Sequence, residues 1–265
     1  MKNYIRNSGI LLICLIALGC HRKEKPQSGN RDREKFHLFL LVGQSNMAGR
    51  GMVEHEDTIP HPRVLALTKD EKWVPAIDPI HFDKNVAGVG LGRTFGITLA
   101  EKNKKITIGL IPCATGGSPI SVWKPGQEWY QTQSYPYDDA IRRAKRAMKD
   151  GVLKGILWHQ GSSDSKPGLA EDYEKNLKDL IMRFREDLNS PDVPFIIGQM
   201  GKFPGKSRTP SEKLVDEAHL SIAKEGKLNG FVYSDGLTFN SDSIHFDARS
   251  LRELGRRYAK VYLTK

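Results

Sequence analysis

The sequence predicts an α/β fold in which a parallel β-sheet is sandwiched between layers of helices. Five short apolar runs recur along the chain, and amphipathic segments separate them. A strand whose two faces are both covered by helices is apolar throughout its length. Alternation of such strands with helices is typical of a parallel sheet. The five runs are 37–42, 106–112, 155–160, 194–200 and 230–235.

The helical segments are recognised by apolar residues spaced three and four positions apart, which place one apolar stripe on each helix. The first stripe consists of Ala140, Ile141, Ala144, Ala147 and Met148. The second consists of Tyr173, Leu177, Leu180, Ile181, Phe184 and Leu188. A third helix is expected in the closing stretch 251–263.

The first 35 residues have the composition of targeting and tether segments. Lys2 and Arg6 precede the apolar run 10–18, which predicts a signal peptide over residues 1–20. "ALGC" at its end resembles a bacterial lipobox, so Cys20 is the expected lipid anchor; an ordinary cleaved signal or an uncleaved anchor are the alternatives. Residues 21–35 carry no aliphatic or aromatic side chain and are predicted to be a disordered tether. We therefore expect an exported protein, lipid-anchored in the periplasm or on the bacterial cell surface, with residues 36–265 as one domain.

The charge of the chain does not indicate a nucleic-acid partner. The net charge is +10, but eight of the 41 basic and three of the 31 acidic residues precede residue 36, which leaves +5 for the body. This excess lies on predicted helix faces such as "AIRRAKRAMK", where solvated lysine and arginine are ordinary. Cys113 is the one cysteine of the body, so an intrachain disulfide is not expected there.

Ser45 is the first candidate for chemistry. It follows the apolar run 37–42 directly, and Gly43 permits a tight bend between the two. A serine hydroxyl at this position is exposed at the edge of the sheet, beside backbone N–H groups that can face a developing negative charge. The alternative is that Ser45 only caps the helix that follows.

A nucleophilic serine requires a base and a group that orients the base. Asp242 and His245 lie three residues apart after the last predicted strand, so the carboxylate can reach Nδ1 while Nε2 points outward. The alternative is that Asp242 caps a turn and His245 is an ordinary surface residue.

Two further polar stretches follow strands at the same sheet edge, where open α/β sheets place their ligands. "PCATGGS" can present the N–H of Gly117, and "WHQGSSD" offers His159, Gln160 and Asp164. The long segments 49–92 and 113–137 also follow the carboxyl ends of predicted strands, and loops of that length are usually functional or disordered.

Taken in order, "GQSNM", "GG", "HQG" and "DxxH" resemble the sequence blocks of the SGNH hydrolase superfamily. The resemblance is to the branch that contains carbohydrate esterase family 6 and the sialate O-acetylesterase-like (SASA) proteins. It extends over residues 36–262 and includes "VGLGRTFG" at 89–96. It implies a three-layer, flavodoxin-like fold with five parallel strands.

The same resemblance implies roles for individual residues. Ser45 is the expected nucleophile, His245 the base and Asp242 the orienting acid. The oxyanion hole is expected from the N–H groups of Ser45 and Gly117 and the side chain of Gln160. The expected substrate-binding residues are Gln44, His159 and Trp123.

One position departs from the pattern of the branch. Relatives commonly read "HQGESD", but this chain has Ser162 in place of the glutamate. In some relatives that glutamate is assigned as the acid of the triad. We therefore expect Asp242 to orient His245 alone, or the activity to be reduced.

Other candidates have ordinary structural explanations. Cys113 has no base nearby in sequence and is expected to be a buried small residue. The aromatic residues Trp123, Trp129 and Tyr130 can stack on sugar rings or pack their own loop. The histidines His55, His61 and His81 match no familiar ligand spacing, so neither a metal nor a cofactor is expected.

The sequence thus predicts a serine esterase that removes acetyl groups from carbohydrate, of acetylxylan or O-acetyl sialic acid type. A cell-surface carbohydrate-binding protein of the same fold with weak or absent turnover is the second interpretation. A lipase or acyltransferase is the third.

Overall fold

The structure is a computed structural model that describes residues 28–202, 205 and 207–265. It contains a mixed seven-stranded sheet in the order β3-β2-β4-β1-β5-β6-β7. The strands are β1 (Phe36–Gly43), β2 (Val64–Leu67), β3 (Trp73–Pro75), β4 (Thr107–Pro112), β5 (Val152–His159), β6 (Phe195–Gly198) and β7 (Asn229–Val232). Every neighbouring pair is parallel except β2 and β3.

All five predicted strands are confirmed, but the expected number of strands was wrong. β2 and β3 lie inside the long segment 49–92 that was predicted to be a loop. They are only four and three residues long, and they pair with each other in antiparallel fashion and with β4. Length alone does not explain the miss, since the recognised strands β6 and β7 also have four residues each. β2 and β3 stand in a segment rich in glycine, proline and histidine, which is typical of a loop, and their stability comes from pairing with an existing sheet.

The structure has seven α-helices among the described residues. They are α1 (Ser28–Lys35), α2 (Ser45–Ala48), α3 (Leu91–Lys102), α4 (Pro136–Ala147), α5 (Tyr173–Asp187), α6 (Pro210–Lys224) and α7 (Ala248–Tyr262). The predicted helices correspond to α4, α5 and α7 and are confirmed. α3 and α6 were not predicted from the sequence, although Thr209 and Glu212 form a capping box at the start of α6, a signal that can be read from sequence.

Alternate side chains of β1 supply two separate hydrophobic clusters. Leu38, Leu40 and Val42 belong to a cluster with buried residues of α4, α5 and α6. Phe39 and Leu41 belong to a second cluster with buried residues of α3 and α7. Helices therefore cover both faces of β1, which explains its continuous apolar sequence. Each fully buried leucine or phenylalanine contributes about 1.5–3 kcal/mol to the free energy of folding.

The N-terminal predictions concern mostly residues outside the described range. The predicted signal peptide and Cys20 lie there, as do residues 21–27 of the predicted tether. In the described part of the tether, α1 occupies Ser28–Lys35, and the Arg33 guanidinium donates to the Met148 carbonyl oxygen at 2.8 Å. Within the described part of the chain, no helix combines the length and the apolar character that crossing a membrane requires.

The loops after β1, β4 and β5 meet at one edge of the sheet. Gly43 at the end of β1 is in register with His159 at the end of β5. The Thr115 N–H, just beyond β4, donates to the Gly43 carbonyl oxygen at 2.8 Å. The polar stretches that sequence analysis singled out therefore lie side by side at the carboxyl ends of three adjacent strands.

Candidate functional site

Ser45 is placed by a sharp turn at the end of β1. Gly43 has φ of +133°, and a Cβ at this position would lie 2.3 Å from the His159 carbonyl oxygen, so only glycine fits. Ser45 is the first residue of α2, and the N-cap position is Gln44. The Ser45 hydroxyl therefore does not cap the helix, which was the alternative interpretation. It contacts a side chain from the other end of the chain.

That side chain is His245, and it links Ser45 to Asp242. The Ser45 Oγ lies 2.8 Å from His245 Nε2. His245 Nδ1 lies 2.6 Å from Asp242 Oδ2. The other carboxylate oxygen of Asp242 accepts hydrogen bonds from the backbone N–H groups of Ile244 and His245, both at 2.9 Å. Residues 200 positions apart thus form one continuous hydrogen-bonded chain.

The charge of Asp242 sets the direction of the hydrogen bonds in this chain. Burial acts to raise the pKa of Asp242, but the hydrogen bonds from His245 and Ile244 outweigh it and lower the pKa to about 2. Asp242 is therefore ionised at neutral pH and accepts the hydrogen of His245 Nδ1. With its hydrogen on Nδ1, His245 can accept the Ser45 hydroxyl hydrogen at Nε2. The arrangement can activate a hydroxyl as a nucleophile.

The backbone N–H groups of Ser45 and Gly117 are the available donors for an oxyanion. Both residues line a cleft of about 570 Å³. Gly117 has φ of +78°, which a glycine adopts without strain. Among the described residues, neither of these two N–H groups has a hydrogen-bond partner. They are free to bind a negatively charged oxygen in the cleft.

Gly116, next to Gly117, is held by an ion pair that sequence analysis did not identify. Its N–H donates to Asp83 Oδ2 at 2.9 Å. The same oxygen lies 2.7 Å from the Arg50 guanidinium, and both charged side chains are buried. Arg50 follows α2 closely, so the pair ties the loop after β4 to the Ser45 segment. The sequence signal for this ion pair was Arg50 itself, a charged residue that follows the uncharged stretch "NMAG".

Gln160 occupies a different position from the one expected of an oxyanion donor. Its side-chain amide donates one hydrogen to the Ser118 carbonyl oxygen at 3.0 Å and the other to Asp164. Its Oε1 accepts from the Tyr173 hydroxyl at 2.6 Å. Both amide hydrogens are therefore used within a buried network. Gln160 can contribute to an oxyanion hole only by releasing one of these partners.

Asp164 is part of the same network and not of the chain through His245. It accepts a hydrogen bond from the Gln160 side chain. The Ile120 N–H donates to both carboxylate oxygens of Asp164, at 3.2 Å to Oδ1 and 3.0 Å to Oδ2. Burial raises its pKa to about 6, and these hydrogen bonds only partly oppose that effect. The acid in contact with His245 is Asp242.

Gln44 and Ser162 contact each other in the cleft. The Gln44 amide donates to the Ser162 hydroxyl at 2.6 Å, and its Oε1 accepts from the Gly161 N–H at 3.0 Å. Ser162 has the position where a glutamate was expected, and it makes no hydrogen bond to His245 or Asp242. The orienting hydrogen bond on His245 is therefore complete without an acid at position 162.

His159 lines the cleft but is buried and neutral. The Tyr258 hydroxyl donates to the Trp158 carbonyl oxygen at 2.7 Å, so it must accept from His159 Nδ1, which lies 3.1 Å away. Burial lowers the pKa of His159 to about 3. His159 Nε2 is then a lone pair without a partner among the described residues. Its predicted contact with substrate remains a prediction.

The position of Trp123 corrects the expectation that it binds substrate. Its ring is fully buried, packs edge-on against Trp158 and donates to the Ser118 hydroxyl at 3.0 Å. Trp129 is also buried, whereas Tyr130 is 72% exposed. Of Trp123, Trp129 and Tyr130, only Tyr130 offers an open face.

Two other groups of candidates have structural positions. Cys113 is buried, and burial raises the pKa of its thiol to about 11, so it is a poor nucleophile at neutral pH. Among His55, His61 and His81, only His81 is buried. No group of three or more histidine, cysteine or acidic residues in the described ranges is arranged to hold a metal ion.

Comparisons with known proteins place the chain among carbohydrate esterases. Residues 35–264 match the family described as "Carbohydrate esterase, sialic acid-specific acetylesterase". A probable carbohydrate esterase of Arabidopsis thaliana is 35% identical over 255 residues, which cover 86% of this chain and 90% of that protein.

Solved structures agree with this in fold. The X-ray structure of an Arabidopsis thaliana protein superposes with a TM-score of 0.76 and 31% identity, covering 88% of this chain and 99% of that one. The crystal structure of NanS has a TM-score of 0.69 at 16% identity, covering 88% and 98%. At that identity, the similarity to NanS concerns the fold alone.

Proposed function

The chain belongs to the carbohydrate esterase family described as sialic acid-specific acetylesterases, and we propose that it is a serine esterase that hydrolyses O-acetyl groups on carbohydrate. The observation that carries the proposal is the hydrogen-bonded chain from Ser45 through His245 to Asp242. We propose further that the chain belongs to the branch of the SGNH hydrolase superfamily that contains carbohydrate esterase family 6. We also propose that its substrate is acetylated xylan or O-acetylated sialic acid.

In the proposed first half-reaction, Ser45 Oγ attacks the acetyl carbonyl carbon and its proton passes to His245 Nε2. The carbonyl oxygen becomes an oxyanion that accepts hydrogen bonds from the N–H groups of Ser45 and Gly117. Asp242 stabilises the imidazolium that forms. The bond from the acetyl carbon to the sugar oxygen then breaks, and His245 Nε2 returns the proton to that oxygen. The products are the free sugar hydroxyl and acetylated Ser45.

In the second half-reaction, water attacks the acetyl group on Ser45 while His245 accepts a proton from the water. The second tetrahedral intermediate collapses, the proton on His245 Nε2 returns to Ser45 Oγ, and acetic acid leaves and ionises to acetate in solvent. The reaction needs no group beyond the substrate, water and these side chains. Gln44 and His159 line the cleft and are proposed to contact the sugar.

The second candidate function is carbohydrate binding without turnover. Ser162 favours it, because the resemblance implies a glutamate at that position, and a serine carries no negative charge. The contact between Asp242 and His245 argues against it, since the orienting acid is present elsewhere.

The experiment compares hydrolysis of p-nitrophenyl acetate by the full chain, by Ser45→Ala and by Ser221→Ala. Ser221 is a matched control because its hydroxyl bonds Glu174, and neither residue lines the cleft. We expect the wild type and Ser221→Ala to be equally active and Ser45→Ala to be inactive. Equal rates in all three proteins would refute the esterase proposal and favour binding alone.

Substrate panels then separate the finer alternatives. Acetylated xylan, acetylated sialic acid and acetylated monosaccharides distinguish the sugar. Faster hydrolysis of octanoyl than of acetyl esters would instead indicate a lipase, and transfer to an acceptor alcohol would indicate an acyltransferase.

We also propose that residues 1–20 direct export and that Cys20 carries the lipid anchor. The test is partition of the full chain into a detergent phase after expression in a bacterium. We expect the wild type in the detergent phase and Cys20→Ala in the aqueous phase. The same partition for both proteins would contradict anchoring at Cys20.

A further inference from the structure

The side chain of Asn46 binds the backbone on both sides of His245. Asn46 Oδ1 accepts a hydrogen bond from the Phe246 N–H at 3.1 Å. Asn46 Nδ2 donates to the Ile244 carbonyl oxygen at 3.2 Å. The Asn46 side chain is buried, so little water competes for these bonds. A single amide group thus pairs with the residue before His245 and the residue after it.

We propose that Asn46 is the positioning residue that sets the distance between Ser45 Oγ and His245 Nε2. The inference rests on the proposed function, because it concerns the geometry of the same reaction. Asn46 is the residue after Ser45 in α2, so its side chain starts from the same rigid turn as the nucleophile. Fixing the backbone at 244 and 246 to this turn fixes the imidazole between them relative to the hydroxyl.

The loop that carries His245 needs such an attachment. Its internal hydrogen bonds join Asp242 to Ile244 and His245, and the Asn240 N–H to the His245 carbonyl oxygen. These bonds define the shape of the loop but do not connect it to α2. The side chains of Asp242 and Ile244 are largely exposed, so packing holds them weakly.

Two neighbouring contacts hold the loop at other points. The buried Phe246 ring anchors the chain after His245 in the second hydrophobic cluster. Asn240 Nδ2 donates to the Arg50 carbonyl oxygen at 2.9 Å and holds the start of the loop. Apart from the bond between Ser45 and His245 itself, Asn46 makes the attachment nearest to the imidazole among the described residues.

Asparagine is specifically suited to this position. Its amide presents a donor and an acceptor side by side, and the two backbone groups require one of each. Aspartate keeps the acceptor for Phe246 but has no hydrogen for the Ile244 carbonyl oxygen. Alanine removes both bonds. A displacement of about 1 Å between reacting groups can lower a rate about 10²-fold.

The experiment measures kcat and KM for p-nitrophenyl acetate with Asn46→Ala and Asn46→Asp. Asn229→Ala is the matched control, because Asn229 is also buried and also makes two side-chain hydrogen bonds, to Ile222 and Arg185. Thermal unfolding of every variant is measured in parallel. The control therefore shows the effect of losing a buried asparagine outside the cleft.

We expect Asn46→Ala to lower kcat about 10²-fold with little change in KM, since the base and not the substrate is displaced. Asn46→Asp should lie between wild type and Asn46→Ala, and Asn229→Ala should lose stability but keep its kcat. If Asn46→Ala does not fold, Asn46→Asp becomes the test, because this variant keeps one of the two hydrogen bonds. A wild-type kcat in Asn46→Asp would then refute the inference.

The positioning role would be overturned if Asn46→Ala kept the wild-type kcat, or if Asn229→Ala lost as much kcat as Asn46→Ala. In either case the wild type still hydrolyses the ester and Ser45→Ala does not, so the proposed function stands. If the wild type itself is no faster than Ser45→Ala, the proposed function fails, and the positioning role fails with it.

Discussion

Replacing Asp242 by asparagine isolates the charge and the hydrogen-bond polarity of the group that orients His245. In Asp242→Asn the amide oxygen can still accept from the N–H groups of Ile244 and His245, which hold the loop at 2.9 Å. The amide nitrogen then replaces the oxygen that lies 2.6 Å from His245 Nδ1. Because that nitrogen is a donor, it favours the tautomer with hydrogen on Nε2, which cannot accept the Ser45 proton.

Two effects determine the size of the loss. An ion pair about 4 Å apart is worth about 1 kcal/mol in water and about 4 kcal/mol at an effective dielectric constant of 20. The Asp242 side chain is 44% exposed, so solvent screening brings its contribution toward the lower value. The tautomer effect adds to this, and in a serine protease the equivalent substitution lowers kcat about 10⁴-fold. We therefore expect a loss of about 10²- to 10⁴-fold, or about 3 to 5 kcal/mol.

The assay is the initial rate of p-nitrophenyl acetate hydrolysis, with thermal unfolding as the measure of folding. Asp235→Asn is the matched control, because Asp235 is an exposed acid paired with Lys202 instead of His245. Asp242→Asn should unfold at nearly the wild-type temperature but be far less active than Asp235→Asn. Equal activity of Asp242→Asn and Asp235→Asn would refute the reasoning, since His245 would not depend on Asp242.

Three further predictions concern the surroundings of the site. Gly43→Ala should destabilise the protein by about 2 kcal/mol or more, because of its positive φ and the clash with the His159 carbonyl oxygen; an unchanged denaturation midpoint would contradict this. Asp83→Asn should lower the free energy of unfolding by about 3–5 kcal/mol, because it leaves the buried Arg50 guanidinium unpaired and weakens the hold on Gly116. In the same denaturation assay, a loss of only about 0.5 kcal/mol, as is usual at surface positions, would show that the ion pair is dispensable. Burial raises the pKa of Asp78 to about 7, so the folded state binds this proton more tightly than the unfolded state does. The stability that this proton contributes is therefore present at acidic pH and is lost as pH rises through about 7. Asp78→Asn should therefore remove a decrease of about 3 kcal/mol in unfolding free energy between about pH 5 and about pH 8, and an unchanged pH dependence would refute the assignment.

The fold could be predicted from sequence where secondary structure carries its own pattern. Five of the seven strands and the helices α4, α5 and α7 were recognised because burial imposes apolar runs and three-to-four spacing on them. β2 and β3 could not be recognised in this way. Their seven residues gain their stability from hydrogen bonds to β4 and to each other, a tertiary effect that leaves little mark on composition.

The site could be predicted where the topology alone brings residues together. Ser45 and the turn with Asp242 and His245 each follow a parallel strand, and the carboxyl ends of such strands share one edge. The roles of Trp123 and Gln160 depended on which way a loop side chain turns. That direction is decided by partners such as Ser118, which the sequence does not identify as neighbours.

Asn46 was overlooked for a related reason. It lies next to the candidate nucleophile in "GQSNM", but its partners are backbone groups about 200 residues away. A side chain that binds backbone leaves no complementary residue type to search for. Only the folded chain shows which backbone groups its amide meets.

Isolation of the acetylated enzyme tests the account most directly. The full chain is mixed with excess p-nitrophenyl acetate, quenched with acid within the first turnover, digested and examined by mass spectrometry. We predict one added acetyl group on the peptide that contains Ser45 and none on that peptide from Ser45→Ala. The account would be contradicted if Ser45→Ala hydrolysed the ester as fast as the wild type and the wild-type peptide carried no acetyl group.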